Sequence, residues 1–160
     1  MNKQLEFHLK TVFDNIKILK DLYEFIQHNY SLPLNEKNYI QLKKDDFKLL
    51  DSIAYRYLKT QSILGEKLFR EILEYSEYDI SSKSYIEILS ELERENIITI
   101  EEWKMLRELR NSLSHDYPYD EKEIIDALNF LYYNLTLLED IITKLKVKYE
   151  KISKIKSKRN

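Results

Sequence analysis

The sequence predicts an all-α fold, an antiparallel helical bundle of about five helices, and three observations carry that prediction. Only one glycine and two prolines occur in 160 residues. Sandwiches, barrels and dinucleotide-binding units all need turn or phosphate-loop glycines, so these architectures are excluded. Three long segments place apolar residues at alternating spacings of four and three, the period of one helical face. The loops between them carry helix-capping signals rather than hairpin turns. Apolar residues make up 43% of the chain, enough for one core, and the length suits a single domain over residues 1–160.

The first stripe reads Leu5, Leu9, Val12, Ile16, Leu19, Tyr23, Ile26. Ser31-Leu32-Pro33-Leu34-Asn35 ends that helix and opens a loop, the long segment from Gln27 to Lys44 being left without a helix. Asp45 is the expected N-cap of the second helix, whose stripe is Phe47, Leu50, Ala54, Tyr57, Gln61, Leu64, Leu68, Ile72. Gly65 lies inside it. A mid-helix glycine costs about 1 kcal/mol against alanine, so close approach of a neighbouring helix is expected there. A polar turn from Ser76 to Ser84 precedes a short helix from Tyr85 to about Glu95. Thr99 and Glu102 have the spacing of a capping box and open a helix from Ile100 to about Ser114. Pro118 disfavours α geometry at Tyr117 and stops it. Asp120 caps the last helix, with the stripe Ile124, Leu128, Leu131, Leu135, Leu138, Ile142, Leu145, Tyr149, Ile152.

Charge is uneven. Residues 144–160 hold eight basic groups against Glu150 alone, a balance of +7, which leaves −9 for the rest of a chain whose net charge is −2. Basic groups suit a helix C-terminus, where residues 150–160 have room to fray. They also suit an RNA or acidic partner, and so support such a function without establishing it. No cysteine is present, which removes disulfides, thiolate metal sites and cysteine nucleophiles. A Walker P-loop needs two glycines and is excluded. His8, His28 and His115 lack the partners of a metal-binding pattern, so no metal and no cofactor is expected. His8 and His28 read as surface or helix-end residues. Met1 to Lys10 carries no secretory apolar core, and no stretch reaches the ~18 consecutive apolar residues of a membrane span. A cytoplasmic location without membrane contact is expected.

The segment from Arg107 to Pro118 concentrates chemistry. With Trp103 at zero on a helical wheel, Leu106, Leu109 and Leu113 fall at about 300°, 240° and 280°. Arg110 falls at about 340°, on the margin of that apolar face. A charge there must pair, snorkel, or line a cleft or interface. An arginine fork binds phosphate oxygens and stays charged. A histidine titrates near neutrality and moves protons to or from oxygen. Together they suit phosphodiester chemistry without a metal.

Arg110-Asn111-Ser112-Leu113-Ser114-His115-Asp116-Tyr117 resembles the Arg-x4-His-x-Tyr signature of the HEPN superfamily, in its HepT-like toxin branch. The position late in the penultimate helix, before a long final helix, is similar too. The resemblance implies a helical-bundle homodimer in which two motifs face one another and form a metal-independent endoribonuclease site. Arg110 and His115 would be catalytic: Arg110 would hold the scissile phosphate, and His115 would act on the ribose 2′-hydroxyl or the leaving 5′-oxygen. Asn111 would orient the motif or bind RNA. Tyr117 matches the tyrosine that a nucleotidyltransferase antitoxin adenylylates to silence the toxin. Trp103, Arg110, Asn111, Ser114, His115 and Tyr117 also resemble a related branch, the nucleotidyltransferase substrate-binding proteins. That resemblance implies a non-catalytic subunit partnering a nucleotidyltransferase.

Overall fold

A computed structural model of the chain describes residues 2–114 and 120–159. Every regular element in it is helical: α1 (Lys3–Asn29), α2 (Glu36–Asp45), α3 (Phe47–Ile63), a π-helical turn (Leu64–Leu68), α4 (Phe69–Tyr75), α5 (Tyr85–Arg94), α6 (Ile100–Ser114) and α7 (Glu121–Arg159). α3, the π turn and α4 follow one another without a break, so the described residues make six rods. No strand occurs among them, and no helix among them is long and apolar enough to cross a membrane.

α1 lies antiparallel to both α7 and the α3–α4 rod. Glu6 accepts a hydrogen bond from the Tyr149 hydroxyl, Lys20 pairs with Glu139 at 2.9 Å, and Tyr23 donates to the Leu128 carbonyl at 2.7 Å. On the other side, His8 meets Glu71 at 2.8 Å and Arg56 donates to Asn15 at 3.0 Å. All seven residues of the first stripe are buried, as are the central seven of the last, Leu128 to Tyr149. Burying these rows in one core drives the assembly, at roughly 1.5–3 kcal/mol for each large apolar side chain.

Four local expectations are corrected. The segment expected as loop holds α2, whose N-terminus is a capping box made by Asn35 and Asn38. Its buried anchors Tyr39 and Leu42 are too few to raise a periodic signal. The cap of α3 is Asp46, which accepts from the Leu49 amide at 3.1 Å. Asp45 closes α2 instead, accepting from Gln41 and from the Tyr30 hydroxyl. The buried row at the start of α3 is Leu49, Ile53, Tyr57 rather than Phe47, Leu50, Ala54, and Phe47 is exposed. Several apolar residues in succession allowed two registers, and packing against α1 selected one. His8 is buried, its ring held by Glu71 across the α1–α4 contact.

The remaining boundaries agree with the capping signals. Ser84 and Glu87 form a capping box at α5. Thr99 accepts from the Glu102 amide at 3.1 Å while Glu102 accepts from the Thr99 amide at 3.1 Å. Asp120 accepts from the Lys122 amide at 2.9 Å. α7 runs through the basic segment to Arg159, with Lys156 and Arg159 facing Glu77 and the Tyr75 hydroxyl within 3.1 Å of Ser153. With the one glycine spent inside a helix, the left-handed residues after α1, α4 and α5 are Ser31, Glu77 and Asn96.

Candidate functional site: an arginine-lined pocket on the motif helix

Trp103 sets the rotation of α6. It is fully buried, stacks edge-on against Phe69 at 4.6 Å, and its Nε1 donates to the Tyr85 hydroxyl at 2.9 Å. Opposite it stands Gly65, in the π turn. A Cβ built there would lie 2.7 Å from Trp103 Cζ2 and 3.0 Å from the Tyr85 hydroxyl. The expected close approach is therefore real, and it is made by an indole ring. Tyr57 adds a second tie, donating from its hydroxyl to the Leu106 carbonyl.

This rotation decides what faces the groove. Residues four and seven positions after Trp103 share its side of the helix, and these are Arg107 and Arg110. Across the groove, Gln61 and Gly65 occupy one face of the α3 rod. The wide π turn carries Arg70 round toward that face, a placement typical of the functional sites where such turns recur. Gln61, Gly65, Glu66, Arg70, Tyr85, Arg107 and Arg110 thereby line one pocket of about 370 Å³.

Its electrostatics are positive. Among the described lining residues, three guanidinium groups stand against the single carboxylate of Glu66, a balance of +2. Arg110 meets Glu66 at 3.8 Å, with the side chains 39% and 63% exposed. A pair that long and that wet is worth little, so Glu66 holds Arg110 only weakly. The Arg107 guanidinium lies 5.7 Å from the centre of the Tyr85 ring. Burial pushes the Tyr85 hydroxyl up, while the Trp103 hydrogen bond and the charges of Arg107 and Arg70 pull it back. Burial likewise pushes Tyr57 up, opposed by Arg110. Gln61 is buried and its Oε1 has no hydrogen-bond partner among the described residues.

Of the residues singled out in the sequence, Arg110 is half-exposed on the wall of this pocket and Asn111 is exposed one residue further along α6. His115 and Tyr117 lie outside the described residues. Sequence reasoning passed over Arg70, Tyr85 and Arg107 and gave Gln61 no functional weight. Arg107 was legible, because three residues before Arg110 is the same helical face. Arg70 was not, because a regular helix would have turned it away.

Chemically, the pocket offers N–H forks and one phenolic hydroxyl to an anionic ligand. The only acid–base group suggested for it by sequence is His115. Compared with protein-family models, with curated proteins and with solved structures, the chain shows no significant match to any of them.

Proposed function

We propose that the chain is a metal-independent endoribonuclease of HEPN type, the toxin of a toxin–antitoxin pair, acting as a homodimer. The observation that carries the reading is Arg110. It stands half-exposed among two further arginines, on the helix whose end bears the Arg-x4-His-x-Tyr stretch.

In this mechanism Arg110 binds the scissile phosphate and stabilises the charge that builds on its oxygens. His115 takes the proton from the ribose 2′-hydroxyl or gives one to the leaving oxygen. The 2′-oxygen forms a bond to phosphorus while the bond from phosphorus to the 5′-oxygen breaks. The products are a 2′,3′-cyclic phosphate and a 5′-hydroxyl. A second copy brings the facing motif, by the two-fold symmetry usual in homodimers. Asn111 orients the motif or contacts RNA.

Silencing is assigned to a partner nucleotidyltransferase. The Tyr117 oxygen attacks the α-phosphorus of ATP, pyrophosphate leaves, and AMP stays on the tyrosine. The added phosphodiester brings bulk and negative charge against Arg110, excluding RNA by sterics and like-charge repulsion.

The test is expression of the chain with and without its cognate nucleotidyltransferase, reading growth, RNA integrity and the mass of each tyrosine peptide. Growth arrest with RNA cleavage is expected from the chain alone. Relief is expected with AMP on Tyr117, and Tyr117→Phe should escape it. Intact RNA from a purified dimer would overturn the nuclease and leave a non-catalytic nucleotidyltransferase partner.

A further inference from the structure

We propose that Arg70, Arg107 and Arg110, with the Tyr85 hydroxyl, form a phosphate-binding subsite in each protomer, which holds a nucleotide phosphate. The inference deepens the nuclease reading and rests on it for the ligand class. Its physical basis is separate, and uses only described residues.

Three facts point to a phosphate. First, three guanidinium groups from two different rods converge on one pocket. Like charges gathered this way repel, and among the described lining residues only Glu66 offsets them. Packing alone would have spread them over the surface. An arginine fork matches phosphate oxygens with paired N–H donors. The surplus of +2 balances a phosphate dianion or two neighbouring diesters.

Second, the site is built rather than incidental. Gly65 lets Trp103 close to van der Waals limits, and Trp103 holds the Tyr85 hydroxyl by a hydrogen bond at 2.9 Å. That hydroxyl accepts from the indole, so its own hydrogen is left for an acceptor in the pocket. Arg107 in turn rests against the Tyr85 ring. The Tyr85 ring and the Arg107 fork are thus held by a chain of contacts that begins in the core.

Third, the wall holds unmet polar capacity. Gln61 is 2% exposed and its Oε1 has no partner among the described residues. Buried polar groups are normally satisfied. At about 370 Å³ the pocket falls in the size range of small-ligand sites, larger than one phosphate needs. A nucleotide unit, phosphate and sugar together, uses that space.

Glu66 is the internal competitor. It is the one carboxylate among the described lining residues and faces Arg110 at 3.8 Å. An incoming phosphate displaces it from the guanidinium.

The experiment measures binding of a fluorescent all-2′-deoxy octanucleotide, which lacks the 2′-hydroxyl needed for cleavage, to the full-length wild-type chain. Arg70→Gln, Arg107→Gln and Glu66→Gln are compared with it, each checked for an unchanged thermal transition. Loss of one charged hydrogen-bonding group should weaken binding about ten-fold or more. Glu66→Gln should tighten it by about two- to five-fold, the worth of an exposed ion pair. Competition identifies the source of the phosphate. Displacement by 5′-AMP at concentrations where inorganic phosphate also acts marks a terminal phosphate. Resistance to both marks diesters of a strand. Either result supports the subsite. Binding equal to wild type in folded Arg70→Gln and Arg107→Gln overturns it, and so does a wild-type chain that binds none of the three probes. RNA cleavage is read in parallel with His115→Ala. Arginine-dependent binding with no cleavage by wild type overturns the nuclease and leaves the subsite. Cleavage with arginine-independent binding does the reverse.

Discussion

Replacing Gly65 by alanine tests the packing on which the pocket depends, because helix propensity and packing predict opposite signs. Propensity favours alanine by about 1 kcal/mol inside a helix. Packing opposes it. The new methyl would meet Trp103 Cζ2 at 2.7 Å, which is 0.7 Å short of the 3.4 Å where ordinary contact begins. Trp103 has nowhere to retreat, being fully buried, edge-on to Phe69 at 4.6 Å and tied to Tyr85. Overpacking of a filled site costs about 1–3 kcal/mol. Displacing the indole also weakens its hydrogen bond, worth about 1 kcal/mol. After the propensity gain, a net loss of about 2 kcal/mol is expected. At this chain length that lowers Tm by about 4–8 °C. Thermal and urea unfolding followed by circular dichroism would measure it. A double-mutant cycle isolates the cause: in a Trp103→Phe background, where the ring is shorter, the cost of Gly65→Ala should fall by at least about 1 kcal/mol. Equal stability of Gly65→Ala and wild type would refute the reasoning, as would the same loss in both backgrounds.

Other outcomes follow from the same contacts. His115→Ala should lower RNA cleavage by about 10²–10⁴-fold, and Arg110→Ala by a similar factor, both folding normally, and cleavage by the unsubstituted chain should not respond to EDTA. In light scattering at micromolar concentration the chain should be a dimer, and a monomer would remove the composite site. Burial raises the hydroxyl groups of Tyr23 and Tyr57 far above their ordinary value. Their contribution is therefore intact below pH ~10 and is lost above it, as the unfolded chain ionises and the folded one does not. Each buried tyrosine should remove up to about 1.4 kcal/mol per pH unit there, and Tyr23→Phe should flatten alkaline unfolding measured by phenolate absorbance. Glu95 is held below the usual carboxylate range by the Tyr78 hydroxyl and Lys148. Its stabilisation is present above the unfolded value and is lost as pH falls through the folded one, so Glu95→Gln should show a shallower loss of urea stability on acidification.

The sequence by itself determined the helical class, most element boundaries and the face that most helices bury. These follow from local rules: a 3.6-residue period and a side chain that caps the amides after it. Thr99 and Asp120 act within three residues of themselves, so they were legible without any fold. It also brought Arg110, Asn111, His115 and Tyr117 forward, because a short motif is a linear object. Tertiary structure alone decided the rest. α2 exists because Tyr39 and Leu42 find a core to enter, and His8 is buried because Glu71 arrives opposite it from sixty-three residues away. The register of early α3 was settled by what α1 presented to it. The pocket is the clearest case. Gly65 marked a close approach in the sequence, but its partner, the indole of Trp103, is named only by packing. The π turn that carries Arg70 toward Arg107 and Arg110 has no local signature, because a helix accepts an extra residue in one turn when the contacts around it repay the distortion.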